Sequence, residues 1–546
     1  MSRRSKQIDA YFQQGERLLA AGQPVKAEQI YRQILAAEPK HAESRHMLGV
    51  LALQGGQPVL ALDLFDGAIA LKPLVSPYHV HRAHALLALS RPIEAAAACR
   101  IALRTKSNNA EAYQVLGHAC TDSLQPAEAL RAYREAVRLK PDLPDLFNNL
   151  GTALRNLGWL EEAEQHLLEA VRRAPGDLGA QLNLSSVLKE LGKVAEAEAL
   201  LRDALRKQPG DAVLMYNLSL LLLLTGRTGE AWPGWEQRFA AGAVPRRGLS
   251  QPQWNGEALA GRTLLIYAEQ GLGDTIQFCR YLPGRYLPGR YLSGLAATGG
   301  GILFEAPARL RRLLSTLPGA PPMVVPGESP GTVDLVCPLM SLPARFGTQA
   351  DWSMPYLMAE PERVARWRTR LGPSGFKIGI AWQGNPGRVE DLGRSISLRE
   401  YLPLADKPGV RLVSLQKNDG TDQLENGMTI ESLGQDFDAG PDGFLDAAAV
   451  MMSLDLVITS DTAIAHLAGA LGRPVWVALR LVPDWRWQLE RDDSPWYPTM
   501  RLFRQSTRDD WKPVFAAMAE AIGVELGTSH RSGPTAERVG PTPTAA

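Results

Sequence analysis

Apolar and small residues recur every 34 positions along the first 240 residues of the chain. Alanine keeps this interval without a slip, at Ala27, Ala61, Ala95, Ala129, Ala163, Ala197 and Ala231. Four residues after each alanine stands an aromatic or other apolar residue: Tyr31, Phe65, Cys99, Tyr133, Leu167, Leu201 and Trp235. Proline shares the period, at Pro39, Pro73, Pro141, Pro175 and Pro209. Since proline ends a helix and small residues let two helices approach closely, this period predicts stacked helix pairs.

The pattern resembles the tetratricopeptide repeat, over about seven units between residues 7 and 240. The resemblance implies an all-α superhelix that binds a protein or a peptide. Asn148, Asn149 and Asn183 are candidate polar residues of its groove. They could contact the backbone of a partner, or they could simply be solvated on a helix face. The sequence leaves both interpretations open.

A different pattern begins after a connector with proline and glycine, predicted at residues 241–262. Short β-rich runs alternate there with helical stretches, which is typical of βαβ units and a parallel sheet. Strands are predicted in the runs LLIYA, GILFEA, MVVPG, DLVCPL, KIGIAWQG, VRLVSLQ, TIESLG, DLVITS, PVWVAL and MRLFRQ. The run PERVARWRTRLG predicts a helix between two halves, residues 263–360 and 361–525. We therefore expect an α/β region of two Rossmann-like domains around a cleft, followed by a disordered tail at 526–546.

Charge and composition narrow the classes of partner and compartment. The net charge is +1 and 45% of residues are hydrophobic, so no excess charge points to nucleic acid or to an anionic membrane. The longest apolar run, LSLLLLL, is far shorter than the roughly 20 residues of a membrane span. The N-terminal MSRRSKQ is not followed by the apolar stretch of a signal peptide. Four well-separated cysteines fit reduced thiols. These features predict a soluble, cytoplasmic protein.

A candidate anion site lies in the run DLVITSDTAIAHLAGALGRPVW. A buried strand is predicted to end at Thr459, and Ser460 or Asp461 is predicted to cap the helix that follows. A helix that begins directly after a strand offers free backbone N–H groups and the positive end of its dipole to an anion. His466 shares a helix face with Thr462. Alternatively, Asp461 is only a helix cap and His466 only a packed surface histidine.

Two further loops bring polar and cationic side chains to the ends of predicted strands. The run AWQGNPGRVEDLGRSISL carries Gln383, Asn385, Arg388, Arg394 and Ser395, and the run SLQKNDG carries Gln416 and Lys417. Arginine and lysine opposite a helix N-terminus suit a diphosphate group.

The turn EQGLGDTIQF, which follows the first predicted strand, has to be assigned a role. It contains Gly271 and Gly273 but lacks the third glycine of a dinucleotide fingerprint, and no P-loop lysine follows. A carboxylate beside a phosphate would repel it, so the turn is a weak phosphate cradle. It is better interpreted as a tight turn that presents Asp274 to the cleft.

Taken in order, EQGLGDTIQFCRYLP, IAWQGNP, RSISL, SLQK, DTAIAHLAGALGRPVW and PDWRWQLERDDSPWYP resemble the heptosyltransferase-like glycosyltransferases of the GT-B fold. More narrowly, the chain resembles bacterial proteins that fuse tetratricopeptide repeats to such a domain, from Gln7 to about Gly523. The resemblance implies inverting transfer of a sugar from a nucleotide diphosphate sugar, ADP-heptose being the family's usual donor. It implies no metal and no cofactor besides this co-substrate.

The same resemblance assigns roles to individual residues. Asp274 takes the position of the general base, and Gln270, Gly271 and Gly273 form the acceptor-side turn around it. The implied donor-binding residues are Asp461, Thr462, Ala463, His466, Arg394, Ser395, Lys417, Gln383 and Asn385.

Some positions depart from the family pattern and keep other functions open. Arg388 replaces a histidine, Leu392 an arginine and Ser397 a proline, and RYLPGRYLPGRYLSG repeats five residues three times. A catalytically degenerate scaffold that acts through its repeats is one alternative. An O-GlcNAc-transferase-like enzyme that uses UDP-GlcNAc is the other, although the motifs expected of its catalytic half are absent. Trp485, Trp487 and Trp496 could stack on a ligand or pack at the domain junction. The triplet DFD at residues 436–438 is interpreted as a solvated loop rather than a metal site.

Overall fold

A computed structural model describes residues 3–143, 145–282, 300–347, 355–385, 393–425 and 429–529. The chain divides into two compact units, Met1–Lys207 and Gln208–Ala546. Several positions named above lie outside the described residues: Arg388 and Leu392, which depart from the family pattern, most of the RYLPG triplication, and residues 530–546.

The first unit is all-α and consists of consecutive antiparallel helix pairs. Its helices are α1 (Arg3–Ala20), α2 (Pro24–Ala37), α3 (Ala42–Gln54), α4 (Pro58–Leu71), α5 (Ser76–Ala88), α6 (Pro92–Thr105), α7 (Ala110–Asp122), α8 (Pro126–Leu139), α9 (Leu146–Asn156), α10 (Leu160–Arg173), α11 (Leu178–Glu190) and α12 (Val194–Lys207). In each pair, the second helix carries the periodic alanine and is followed by the periodic proline, or by Ser107 at the one position of the period where proline is missing. The predicted tetratricopeptide period is confirmed.

Close contact within a pair depends on the small residues of the period. Ala27 and Ala61 are fully buried, as is Phe65. A Cβ atom added to Gly49 on α3 would lie 2.6 Å from a ring carbon of Phe65 on α4. Gly117 and Tyr133 repeat this arrangement at 2.5 Å. The glycine of one helix therefore makes room for the aromatic ring of the next, as the spacing predicts.

The seventh helix pair belongs to the second unit. It comprises α13 (Ala212–Leu224) and α14 (Thr228–Trp235), and a 3-10 turn follows at Glu236–Arg238. Trp235 Nε1 donates a hydrogen bond to the carbonyl of Met340, 3.0 Å away. The amide of Leu489 donates to the carbonyl of Leu224, also in this pair, at 3.1 Å. The pair thus contacts both halves of the α/β region that follows.

Two parallel sheets form the α/β region. Their strands are β1 (Thr263–Tyr267), β2 (Gly301–Glu305), β3 (Met323–Val324), β4 (Leu335–Pro338), β5 (Phe376–Ala381), β6 (Val410–Ser414), β7 (Ile430–Glu431), β8 (Leu456–Ser460), β9 (Val475–Leu479) and β10 (Met500–Arg504). The first sheet has the order β3-β2-β1-β4 and the second β10-β9-β8-β5-β6-β7. Each predicted strand is present. The direction of winding reverses beside β1 in the first sheet and between β5 and β8 in the second.

Helices of the second unit connect and cover these strands. They are α15 (Leu272–Phe278), α16 (Arg311–Leu314), α17 (Leu342–Phe346), α18 (Pro361–Leu371), α19 (Leu402–Ala405), α20 (Leu445–Met451), α21 (Ala463–Ala470) and α22 (Lys512–Ser529). The predicted helix between the two halves is α18. Ile378, Ile380 and Ile458 of the second sheet share one buried cluster with Phe515 and Met518 of α22.

The last helix, α22, runs to Ser529 and so extends beyond residue 526, where the tail was predicted to begin. Among the residues that the structure describes, no helix is both long enough and apolar enough to cross a lipid bilayer.

Candidate functional site

The turn after β1 places Asp274 on the first turn of α15. Gly271 is the N-cap residue of this helix, and its backbone N–H donates to Asp274 Oδ2 at 2.7 Å. Gln270, which precedes it, has a φ of 62°, so the chain turns sharply out of the strand. The Asp274 side chain is 19% exposed. The turn therefore presents a carboxylate at the reversal point of the first sheet, where α/β proteins bind ligands.

Asp274 forms an ion pair with Arg486, a residue of the other half. Arg486 Nη2 lies 2.6 Å from Asp274 Oδ1. Arg486 also donates from Nε to Gln277 Oε1 and from Nη1 to Asp484 Oδ1, both at 2.8 Å. Its guanidinium lies over the ring of Trp485, 4.4 Å from the centroid. One buried arginine therefore joins α15 to the loop that follows β9.

The other reversal point, between β5 and β8, holds Asp461. The backbone is extended at Thr462, which is the N-cap residue of α21 and makes no side-chain capping bond. The prediction that Ser460 or Asp461 caps this helix is therefore wrong. The Asp461 carboxylate instead pairs with Arg394, 3.2 Å from Nη2 to Oδ1, and the same guanidinium bonds the Asp461 carbonyl. Thr462 Oγ1 lies 3.1 Å from Thr459 Oγ1.

The two reversal points meet where α15 approaches α21. A Cβ atom added to Gly273 would lie 3.3 Å from Ala463 Cα and 3.2 Å from His466 Cδ2. A methyl group at Gly273 would fit only if Ala463 or His466 moved by a few tenths of an ångström. This contact explains why the turn contains a second glycine, and it brings Asp274 and Asp461 into one site.

His466 lies beneath this contact rather than on an open surface. Its Nδ1 is 3.0 Å from the hydroxyl of Tyr497, and its ring stacks on Trp487 with centroids 5.2 Å apart. Burial lowers the pKa of His466 well below its usual value, and the cations Arg486 and Arg280 add to that shift. The imidazole is therefore neutral, and it packs behind the contact between α15 and α21.

Electrostatics differ between the two aspartates of the second half. Burial raises the pKa of Asp461, and Arg394 only partly opposes that shift. Burial also acts against ionisation of Asp484, but Arg486 and Arg394 outweigh it and lower the pKa of Asp484. The site therefore contains three carboxyl groups and two guanidinium groups in close electrostatic contact.

Several residues predicted to bind the donor have structural partners. Lys417 Nζ bonds the backbone carbonyls of Phe437 and Asp438. Gln383 is held at its backbone by Gln416, whose Oε1 accepts from the Gln383 amide at 3.1 Å.

Ser395 and Ser397 follow Arg394 at the end of its loop, and each makes a hydrogen bond to the backbone. Ser395 Oγ accepts a hydrogen bond from the amide of Gly384 at 3.1 Å. Ser397, which stands where the family pattern has proline, caps a short 3-10 helix by accepting from the Arg399 amide at 3.4 Å. Asn385, the last described residue before the gap in this loop, is exposed.

The tryptophans of the second half are packing residues. Trp485, Trp487 and Trp496 are almost fully buried. The ring of Trp485 meets Trp232 and Trp235 of the seventh helix pair edge to face, at 6.2 and 5.4 Å. Of the two interpretations, packing at the junction describes their position.

The DFD triplet is only half solvated, contrary to the prediction. Asp436 is exposed and pairs with Arg370 at 3.0 Å. Asp438 is buried, and its Oδ1 accepts from the amide of Asp446 at 2.8 Å. Asp438 thus braces the start of α20. Within the described ranges, no group of three or more His, Cys, Asp or Glu side chains could hold a metal ion.

The polar residues of the repeats hydrogen-bond to one another. Asn183 Nδ2 donates to Asn148 Oδ1 at 2.8 Å, and Asn149 lies 2.7 Å from His118 Nε2. His46 and His81 are joined in the same way, at 2.8 Å between ring nitrogens. These half-buried pairs connect the first helices of successive repeats.

Sequence reasoning missed Arg486, the partner of the predicted base, and Asp484, which holds Arg486. Both lie in the run PDWRWQLE, of which the sequence analysis singled out only the tryptophans. Arg238, the other omission, is fully buried and holds Glu269 of the EQGLGD turn at 2.7 Å. Burial raises the pKa of Glu269, and the Arg238 guanidinium opposes that rise. An arginine flanked by tryptophans after a strand was the available signal for Arg486.

Comparison with known families agrees with the helix pairs. Tetratricopeptide repeat models match residues 12–75, 182–245 and 144–177, and a TPR repeat model matches residues 125–158. The first unit is therefore built of tetratricopeptide repeats, and an α/β region with two parallel sheets follows it.

One curated relative is Protein FlbA of Caulobacter vibrioides. It is 29% identical over 326 residues, which cover 54% of this chain and 52% of FlbA. The chain thus spans about half the length of this relative.

Several solved structures are similar to part of the chain. YrrB, described as a TPR protein with an unusual peptide-binding site, is 24% identical with a TM-score of 0.29 and covers 32% of this chain and 91% of its own. PilF of Pseudomonas aeruginosa is 20% identical with a TM-score of 0.36, covering 38% and 96%. TTC0263 of Thermus thermophilus is 21% identical with a TM-score of 0.29, covering 33% and 98%.

Proposed function

We propose that the α/β region is a glycosyltransferase of the GT-B type, which transfers a sugar from a nucleotide diphosphate sugar to an acceptor hydroxyl. In this proposal Asp274 is the general base. Arg394 and the backbone N–H groups at the start of α21 hold the leaving diphosphate. An ADP-linked heptose is the donor that the sequence motifs favour.

The observation that supports this function most is the meeting of two reversal points. Asp274 follows β1 of one parallel sheet, and Asp461 follows β8 of the other. Gly273 lies against Ala463, so the carboxylate of one half and the helix start of the other share one site. A base on one side and an anion-binding helix start on the other are what transfer from a diphosphate donor requires.

The tetratricopeptide array, in this proposal, recruits the acceptor or an assembly partner. Tetratricopeptide stacks expose extended surfaces that bind proteins and peptides. The half-buried asparagines and histidines of α3, α5, α7, α9 and α11 offer hydrogen-bonding groups along successive repeats. An acceptor carried by a protein would explain why repeats and the α/β region occur in one chain.

Release of nucleoside diphosphate tests the proposal. The full chain is incubated with ADP-, UDP- and GDP-sugars, and release of the nucleoside diphosphate is measured. Because no acceptor is added, water serves as the acceptor. Asp274→Asn should reduce the release at least tenfold, since general bases contribute about 10²–10⁴-fold. Asp436→Asn, an exposed aspartate outside the site, is the matched control. Equal release by wild type and Asp274→Asn would reject Asp274 as the base.

A catalytically degenerate scaffold is the second candidate, and one observation favours it. Both carboxylate oxygens of Asp274 have partners, Arg486 and the Gly271 amide. A carboxylate with these contacts could serve only to join α15 to the loop after β9, without acting as a base. Binding of nucleotide sugar without any release of diphosphate would favour the scaffold.

A further inference from the structure

The Asp274–Arg486 ion pair poses a problem for catalysis. Both carboxylate oxygens of Asp274 already accept a hydrogen bond, Oδ1 from Arg486 and Oδ2 from the Gly271 amide. Arg486 Nη2 is the group that occupies Asp274 Oδ1. Loss of that contact would leave Oδ1 more open to the proton of an acceptor hydroxyl.

The charges of the site indicate what could remove that contact. Asp274, Asp461 and Asp484 face Arg394 and Arg486, and Arg486 interacts electrostatically with all three carboxyl groups. Three carboxyl groups share two guanidinium groups, so each arginine already interacts with a carboxyl group. A diphosphate arriving beside Arg394 would compete with these carboxylates for both guanidinium groups.

The contacts of Arg486 allow an exchange at a single nitrogen. Nε is held by Gln277 and Nη1 by Asp484, whereas Nη2 alone holds Asp274. Trp485 covers one face of the guanidinium. If Nη2 changed its partner, the other contacts would still fix the side chain. The planar fork of arginine suits such a shared arrangement.

We propose that Arg486 is a further donor-binding residue, which exchanges Asp274 for the diphosphate of the donor and so frees Asp274 to act as the base. This inference rests on the function proposed above. It couples two events in the site, since the donor must be bound before the base is released. The exchange breaks and forms only ion pairs, and no covalent bond changes.

Calorimetric titration of the full chain with ADP, UDP and GDP tests the exchange. The variants are Arg486→Gln, Arg486→Lys, Asp274→Asn and the double variant, with Asp436→Asn as the control. Arg486→Gln should weaken binding of the preferred nucleotide about tenfold to hundredfold, the range of a charge-assisted hydrogen bond. Arg486→Lys keeps the charge but loses the planar guanidinium, so its affinity for the nucleotide should lie between those of wild type and Arg486→Gln.

Asp274→Asn gives the more decisive result. It removes the competitor for Arg486, so it should tighten nucleotide binding about threefold or more, which misfolding could not do. In the Arg486→Gln background the same substitution should have no effect, because the coupling requires both residues. Asp436→Asn should leave the dissociation constant unchanged.

Two contrary results can be told apart. If nucleotide binds with equal affinity to wild type and to a folded Arg486→Gln variant, the exchange is refuted while the donor site stands. If Asp274→Asn tightens binding equally in both backgrounds, its charge acts generally and the exchange is also refuted. If no nucleotide binds to wild type or to Asp274→Asn, the exchange and the proposed function both fail.

Discussion

Replacing Arg238 with alanine should strongly destabilise the second unit. The Arg238 side chain is fully buried and that of Glu269 is 4% exposed. Arg238 also contacts Glu236 Oε1 at 3.0 Å and Ser341 Oγ at 2.7 Å. Removing the guanidinium leaves Glu269 buried without its cation. Breaking a buried ion pair in this way costs about 3–5 kcal/mol of unfolding free energy.

Two further variants separate loss of the pair from loss of the side chain. Glu269→Gln keeps the shape and removes one charge, so it leaves Arg238 paired only with Glu236. Combining Glu269→Gln with Arg238→Met removes both charges. The double variant should be less destabilised than the sum of the effects of Glu269→Gln and Arg238→Met measured singly, because neither buried charge then lacks a partner.

Urea unfolding followed by tryptophan fluorescence is a suitable assay, because Trp232, Trp235 and Trp485 pack together beside Arg238. Arg311→Ala is the matched control in the same unit. Its pair with Glu328, at 3.1 Å, is 47% and 45% exposed. An exposed pair contributes about 0–1 kcal/mol. If Arg238→Ala unfolds at the same urea concentration as Arg311→Ala, the buried pair does not hold the turn.

Two predictions concern the repeats, and hydrogen exchange of the full chain measures both. Gly49→Ala should speed exchange in α3 and α4 by costing about 1–3 kcal/mol, since its Cβ would meet Phe65 at 2.6 Å, whereas Gly176→Ala, which meets nothing within 4 Å, should not. Burial lowers the pKa of His46 to about 3, so below about pH 6.5 protons bind the unfolded state and not the native one. Local stability around His46 and His81 should then fall by up to about 1.4 kcal/mol per pH unit toward pH 3. His46→Asn should reduce that fall. The same pH profile in His46→Asn as in wild type would contradict this assignment.

Local sequence patterns predicted the elements of this fold but not the contacts between distant ones. The alanine and proline period located the helix pairs because each pair is a local unit. The strands could also be predicted, since each lies within a short run rich in β-forming residues. Asp274 and Arg486, by contrast, are 212 residues apart, and no local pattern indicates that they meet.

The helix cap predicted at Asp461 is a second example of this limit. Aspartate directly before a helix usually caps it, and the sequence supported that interpretation. Arg394, 67 residues earlier, attracts the carboxylate instead. The seventh helix pair likewise follows the repeat pattern in sequence, yet its buried Trp235 bonds to the α/β region, as does Arg238 of the turn that follows. Tertiary contacts of charged and aromatic residues decide these positions.

Binding of nucleotide sugars to the full chain tests the central claim most directly. A calorimetric panel of ADP-, UDP- and GDP-sugars would be compared between wild type, Arg394→Ala and the distant control Arg370→Ala. We predict saturable binding that favours the ADP-linked sugar, weakened about tenfold or more in Arg394→Ala and unchanged in Arg370→Ala. Absence of binding by every nucleotide sugar, or equal binding by wild type and Arg394→Ala, would contradict a donor site at the start of α21.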